Sequence, residues 1–330
     1  MNGARICVVG AGRMGEGIAL AFVHAGLEVT LIDIKPRSAA QQASYFAEVI
    51  CHLRSELASL VRLEVLQAHQ AEQAMGRLRL CDREHSAADL EATPLVLEAV
   101  PEVLEVKAAT FAWLSAVCGS DSIIASTTST FLVTELAALV SHPERFVNAH
   151  WLNPALLMPL VEVSRSPATS PAVVERLMSL LKRIGKVAVQ CAPAAGYIVP
   201  RIQALAMNEA ARMVEEGVAS AEDIDTAIRV GFGLRFSVLG LLEFIDWGGG
   251  DILYYASHYL AGAIDPRFLP PKVIAEHMAQ GRNGLREGQG FYDYREVDLD
   301  AYKLERLATF TQRLELMGLA PRFNGALEGP

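Results

Sequence analysis

Cysteine is scarce and scattered along this chain: five residues in 330, at Cys7, Cys51, Cys81, Cys118 and Cys191. An odd count with no paired spacing excludes a disulfide framework and a zinc knuckle, and predicts buried thiols in a reducing compartment. Clusters of lysine and arginine are also missing, and the net charge is −9, which excludes nucleic acid as a partner. No apolar run approaches the roughly 20 residues of a membrane-spanning helix, and the N-terminus enters a strand pattern without a basic leader. A soluble, cytoplasmic protein is expected. The histidines other than His150 (His24, His52, His69, His85, His142, His258 and His277) show no metal-ligand spacing and are expected on surfaces or helices, so no metal is expected.

What the chain does have is material for cores. Hydrophobic residues make up 52% of it against 20% charged, and its length suggests two domains. Arg5-Ile-Cys-Val-Val9 is a buried-strand run, followed at once by Gly10-Ala-Gly-Arg-Met-Gly15 and then an apolar helix pattern closed by Gly26. The next strand run ends on Asp33. A glycine-rich turn in this setting is a dinucleotide-binding signature. Gly10 permits the tight turn, Gly12 lets the backbone approach a pyrophosphate, and Gly15 allows close packing of the helix whose N-terminus attracts phosphate. Asp33, eighteen residues after Gly15 (33 − 15), is placed to accept from the adenosine ribose and repel a 2′-phosphate, favouring NAD over NADP. Lys35 and Arg37 nearby weaken that exclusion.

Residues 38–75 read as two long helices broken near 58–62. Strand runs at 77–81, 95–99 and 122–125, with a helix at 103–117, predict a mostly parallel sheet. The strand ends carry Glu98 to Glu102, Ser126 to Ser129 and Asn148 to His150, polar groups at the edge where a nicotinamide would lie. Ser126-Thr-Thr-Ser-Thr130 doubles as a candidate N-cap for a helix at 133–139. After a helix at 171–184 and a strand at 187–190, the segment 191–196 reads as a linker. Helices are then expected at 197–216, 220–230, 238–244, 251–261 and 272–279. This predicts a nucleotide-binding domain over residues 1–192 and an all-helical domain over 193–330. The apolar helix 198–214 needs another layer to cover it, which suggests a homodimer.

Two short strand runs, 145–149 and 160–163, flank a turn punctuated by Asn153-Pro154 and Pro159. His150 sits where the first run ends and Glu162 lies in the second, twelve residues on (162 − 150). Neighbouring strands joined this way can bring a carboxylate against an imidazole, fixing the tautomer that a general base needs. A core histidine beside an unrelated glutamate is the alternative.

Several ordered blocks resemble the L-3-hydroxyacyl-CoA dehydrogenase family: Gly10 to Ala19, Leu97-Glu-Ala-Val-Pro-Glu102 with Lys107, Ala125-Ser-Thr-Thr-Ser129, His150-Trp-Leu-Asn-Pro154 running to Val163, Gly196-Tyr-Ile-Val199, and Gly288-Gln-Gly-Phe-Tyr292. The resemblance implies a Rossmann-like domain followed by a helical dimerisation domain, an α/β architecture with the active site between the two. It implies His150 as the base, Glu162 holding the imidazole, and Ser129 bonding the reacting oxygen. Gly10, Ala11, Gly12, Arg13, Met14, Gly15, Asp33, Glu102, Lys107, Ser129 and Asn153 are then the cofactor residues, with Arg286 standing where the family has lysine.

Three departures concern the substrate. Pro200 replaces a family asparagine and has no N–H to donate. Thr127 stands in place of another asparagine, and residues 41–74 offer only Arg54 and Arg62 as cations for a phosphate-bearing coenzyme A tail. The segment Gly231 to Gly240 also resembles relatives that oxidise free hydroxylated acids, where Arg235 would meet a carboxylate. The expected activity is therefore NAD-dependent oxidation of a 3-hydroxyacyl substrate, (S)-3-hydroxyacyl-CoA first. A free hydroxy acid or pyridine alcohol is the second reading, and a non-catalytic, crystallin-like NAD-binding protein the third.

Overall fold

A computed structural model of the chain describes residues 5–321. It divides between Ala206 and Met207 into two compact units. In the first, β1 (Ile6–Val9), α1 (Arg13–His24) and β2 (Val29–Asp33) form the opening βαβ unit. The helices α2 (Ala39–Arg62) and α3 (Ala68–Gly76) lead to β3 (Leu78–Asp82). Then come α4 (Ala87–Ala92), β4 (Leu95–Glu98), α5 (Leu104–Val117), β5 (Ile123–Ser126), α6 (Val133–Ala137) and β6 (Phe146–Trp151). β7 (Leu160–Ser164), α7 (Pro171–Arg183) and β8 (Val187–Cys191) follow.

The eight strands form one sheet in the order β3-β2-β1-β4-β5-β6-β7-β8. All neighbours are parallel except β6 and β7. Strand residues alternate between two cores, as period-two geometry requires of a sheet covered on both faces. Val8, Leu31 and Leu97 pack with Phe22, Leu53 and Leu177 on one side, while Val9, Ile32 and Val96 pack with Phe111, Leu114 and Leu136 on the other. Strand order reverses between β1 and β4, and in open parallel sheets such a reversal opens a ligand crevice beyond the carboxyl ends.

The second unit continues the long helix α8 (Val199–Glu215) into α9 (Ala221–Ala227), a π-helical segment (Ile228–Gly233), the single turn α10 (Leu234–Phe236), α11 (Leu241–Gly248), α12 (Gly250–Ala263), α13 (Lys272–Ala279) and α14 (Leu299–Leu316). Buried Asp246 of α11 accepts from the N–H groups of Phe291 and Tyr292 and from the Tyr294 hydroxyl. That bond set pins the glycine-rich block 288–292, since a Cβ on Gly290 would fall 2.1 Å from an Asp246 oxygen.

Several expectations are corrected. The break between α2 and α3 falls at residues 63–67, later than 58–62, because leucine- and arginine-rich sequence keeps α2 helical to its last turn. The helix expected at 238–244 starts instead at Leu241, where the backbone N–H of Gly240 bonds the Glu243 side chain. Helices α4 and α14 were not anticipated. Cys51 is exposed on α2, against the expectation of uniformly buried thiols, although burial pushes the Cys7 thiol up to about 12 and Cys118 up to about 11. No described helix is long and apolar enough to cross a membrane.

Candidate active site

At the reversal point lies a groove of about 400 Å³ lined by Gly10 to Met14, Asp33 to Lys35, Tyr45, Ala99 to Glu102, Thr127 and Ser129. Gly10 and Gly15 make the tight turn and the close packing that their positions predict, with one refinement. Gly10 has φ +109°, and a Cβ there would meet the Ala99 carbonyl at 2.5 Å. A Cβ on Gly12 would meet nothing within 4 Å, so backbone alone faces the open groove. At Gly15 a Cβ would come 1.8 Å from the Gly10 carbonyl, so this glycine seats the helix on the turn itself. The N-cap Gly12 offers no side-chain cap, which leaves the first N–H groups of α1 for an anion. Volume, open backbone and uncapped helix terminus together fit a dinucleotide.

Behind this groove is a buried charge network. Glu98, at the end of β4, is 0% exposed and accepts from Lys107 Nζ at 2.9 Å, Ser126 Oγ at 2.5 Å and the Val100 N–H at 2.9 Å. Lys107, 1% exposed, also reaches Glu102 at 3.2 Å. Glu102 in turn accepts from the N–H groups of Ser129 and Thr130 and from the hydroxyls of Thr128 and Thr130. Burial would raise the Glu102 carboxyl, but Thr128, the Lys107 charge and Thr130 outweigh it and hold the group down at about 2. Ionised Glu102 thus fastens the loop that carries Ser129, and it does so by the Ser129 N–H, leaving the hydroxyl for a ligand.

This changes two sequence readings. Glu98 is not at the groove edge but sealed beneath it, and Ser126 does not cap α6, whose N-cap is Leu132, because its hydroxyl goes to Glu98. Gly10 to Met14, Asp33, Glu102 and Ser129 line the groove. Gly15 and Lys107 lie under it, and Asn153 is exposed on the turn after β6.

The antiparallel pairing of β6 with β7 sets His150 directly opposite Glu162. His150 Nδ1 donates to Glu162 Oε2 at 2.9 Å, with both side chains buried. Glu162 Oε1 accepts from the N–H groups of Ile198 and Val199 at 2.8 and 2.9 Å. The carboxylate is therefore clamped between the imidazole and the N-terminus of α8, where helix geometry favours negative charge. Pro200 sits in the first turn of α8, where a missing N–H costs the helix nothing, so it leaves that clamp intact. With Nδ1 committed to the carboxylate, Nε2 is the nitrogen left to accept a proton.

Tyr197 was not singled out from sequence. Its ring stacks on His150 with centroids 4.7 Å apart at 13°. Its hydroxyl donates to the Thr128 carbonyl at 2.9 Å and accepts from Asn148 Nδ2 at 3.1 Å, and burial pushes it well above the ordinary tyrosine range. One side chain thus ties the histidine to the residue preceding Ser129. Lys186 was missed too. Its buried ammonium donates to the carbonyls of Ala155, Leu156 and Met158 at 2.7, 3.0 and 2.8 Å, which fastens the turn between β6 and β7. No spacing rule marks either residue, since each acts through contacts distant in sequence.

Arg235 and Arg286 belong to the second unit. Arg286 pairs there with Asp251 at 3.0 Å and Glu287 at 2.8 Å, and Arg235 lies 4.6 Å over the Phe244 ring.

The arrangement has counterparts among known proteins. The family model described as "3-hydroxyacyl-CoA dehydrogenase, NAD binding domain" matches residues 5–194, and that for the C-terminal domain of the same family matches residues 196–294. The chain is 37% identical over 297 residues to 3-hydroxyadipyl-CoA dehydrogenase of Escherichia coli strain K12, a match covering 89% of this chain and 60% of that protein. It is 30% identical to 5-formyl-3-hydroxy-2-methylpyridine 4-carboxylate 5-dehydrogenase of Mesorhizobium japonicum, over 91% of this chain and 94% of that one. The crystal structure of a 3-hydroxyacyl-CoA dehydrogenase from Archaeoglobus fulgidus aligns with a TM-score of 0.75 at 29% identity, covering 96% and 99% of the two chains. A dinucleotide groove built on the first βαβ turn and two adjoining domain matches along one chain lead to one assignment: the protein belongs to the 3-hydroxyacyl-CoA dehydrogenase family of NAD-dependent oxidoreductases.

Proposed function

We propose that the protein oxidises the secondary alcohol of a 3-hydroxyacyl substrate, with (S)-3-hydroxyacyl-CoA going to 3-oxoacyl-CoA as the leading reaction. The observation that carries this is the His150–Glu162 pair, whose geometry presents Nε2 as a proton acceptor. Bound NAD supplies the hydride acceptor. Removing hydride from carbon requires removing the proton from the attached oxygen, and His150 takes that proton. Glu162, held by the α8 N-terminus, stabilises the imidazolium that forms. Ser129 bonds the reacting oxygen, Glu102 and Lys107 hold the Ser129 loop, and Asn153 and Arg286 contact the cofactor. The test is incubation with NAD and short (S)-3-hydroxyacyl-CoA esters, following NADH. Turnover on at least one ester is expected, and none on any chain length would remove the reading.

A second substrate class, a free carboxylated alcohol held by Arg235, draws support from the helices α2 and α3 of the first unit. Arg54 there is paired with Glu72 at 3.4 Å, so of the two cations only Arg62, bonded to the neutral Ser59 hydroxyl, keeps its full charge for coenzyme A phosphates. The Mesorhizobium relative, named for a pyridine carboxylate, points the same way. If this class is correct, Arg235→Ala raises KM for the acid at least tenfold with kcat less affected; an unchanged KM for every acid tried eliminates it. We also read the protein as a cytoplasmic homodimer. Ile202, Leu205, Met207 and Val214 are exposed along α8, and light scattering at the mass of a single chain would reject the dimer.

A further inference from the structure

The adenosine end of the groove carries a feature that a bare acidic residue would not. Asp33 closes β2 and is buried, yet its carboxylate is already engaged by its own chain. Oδ2 accepts from Arg37 Nε at 2.7 Å and Gln42 Nε2 at 3.2 Å, and Oδ1 accepts from the Lys35 N–H at 3.3 Å. Arg37 is not a loose surface cation. Its guanidinium lies 3.8 Å over the Tyr45 ring, and Tyr45 is anchored by its hydroxyl to the Ala11 carbonyl in the phosphate turn. On the chain, Arg37 directly precedes the N-cap Ser38, whose reciprocal bonds with Gln41 fix the start of α2. Lys35 is exposed and lines the same groove.

An acid at this position discriminates against NADP because its charge repels the 2′-phosphate. Repulsion between unit charges a few ångströms apart is large in a partly buried site, and a fixed guanidinium against the carboxylate cancels much of it. We propose that Arg37 sets the coenzyme discrimination of this protein by compensating the Asp33 charge, which makes the adenosine end tolerant of a ribose 2′-phosphate, with Lys35 as a second cation at its mouth. The proposal rests on the reading of this groove as the cofactor site with Asp33 beside the ribose. It does not depend on His150 or on the identity of the alcohol.

The test measures binding rather than turnover: fluorescence titration of the full chain with NADH and with NADPH, and the ratio of the two dissociation constants. Arg37→Gln, which keeps a polar side chain but removes the charge, is expected to weaken NADPH relative to NADH by about tenfold or more, because the Asp33 charge then acts on the 2′-phosphate without an offsetting cation. Lys35→Gln is expected to act in the same direction with a smaller factor. Asp33→Asn, which removes the acid charge and leaves the guanidinium unopposed, is expected to shift the ratio the other way, toward NADPH. An unchanged ratio in Arg37→Gln overturns the proposal, as does an unchanged ratio in Asp33→Asn, which would mean that there is no acid repulsion to compensate. Absence of NADH binding to the unaltered protein would overturn the groove assignment and this proposal with it, whereas failure of the dehydrogenase assay alone would leave both standing.

Discussion

His150→Gln is expected to lower kcat by about 100- to 10,000-fold, the range that a positioned general base contributes. NADH affinity should stay within about twofold, because His150 is held by Glu162 and Tyr197 and is not among the residues lining the nucleotide groove. Glutamine is the informative replacement. Its amide can still donate to Glu162, so the carboxylate keeps a partner and the α8 terminus keeps its clamp, while no group able to accept a proton near neutral pH remains. Steady-state kinetics with a parallel NADH titration check both halves. A variant with near wild-type kcat would refute the base role, and one that loses NADH binding would show that the replacement disturbed more than the proton acceptor.

The second large effect is on stability. Lys107→Met should cost about 3–5 kcal/mol, the usual loss when one partner of a buried ion pair is removed and the other charge remains. Glu98 would keep the Ser126 hydroxyl and the Val100 N–H but would have no cation, in a site with no solvent access. For a unit of this size each kcal/mol lowers Tm by roughly 2–4 °C, so a fall of roughly 6–20 °C is expected by thermal denaturation. Glu102 would lose the same ammonium, and the loop bearing Ser129 would loosen, which should appear as a raised KM for NAD in whatever folds at lower temperature. A Tm within about 2 °C of wild type would mean that the Glu98–Lys107 pair adds nothing to the fold.

Sequence and structure agree most closely where local chemistry has no alternative. The turn Gly10 to Gly15 tolerates no side chain at its first and last positions, and the same constraint that folds it makes it visible as a motif. The twelve-residue separation of His150 and Glu162 also sufficed, because an antiparallel return across a proline-punctuated turn sets them directly opposite each other. Agreement fails where burial is decided at long range. Glu98 reads as a polar strand end, and only the packing of α5 shows it to be sealed against Lys107. That helix is apolar on most faces, so its pattern does not announce which residue points inward. Tyr197 and Lys186 reach across 69 and about 30 residues to their partners, beyond any periodicity. Helix α14 has little net hydrophobicity and only a weakly one-sided apolar pattern, so it lacks the stripe by which helices are recognised in sequence. The π-helical segment at Ile228–Gly233 runs past the end of the helix expected at 220–230, through two glycines that carry no helical signal.

The central claim is spatial: the free nitrogen of a carboxylate-braced imidazole meets the oxygen of the alcohol being oxidised. A crystal structure of the protein with NAD and an unreactive 3-oxoacyl or keto-acid analogue measures this most directly. The account predicts the analogue's carbonyl oxygen within about 2.6–3.2 Å of His150 Nε2, with the Ser129 hydroxyl also in bonding reach. An analogue bound with its oxygen on other groups, and His150 Nε2 turned away from it, would contradict the account.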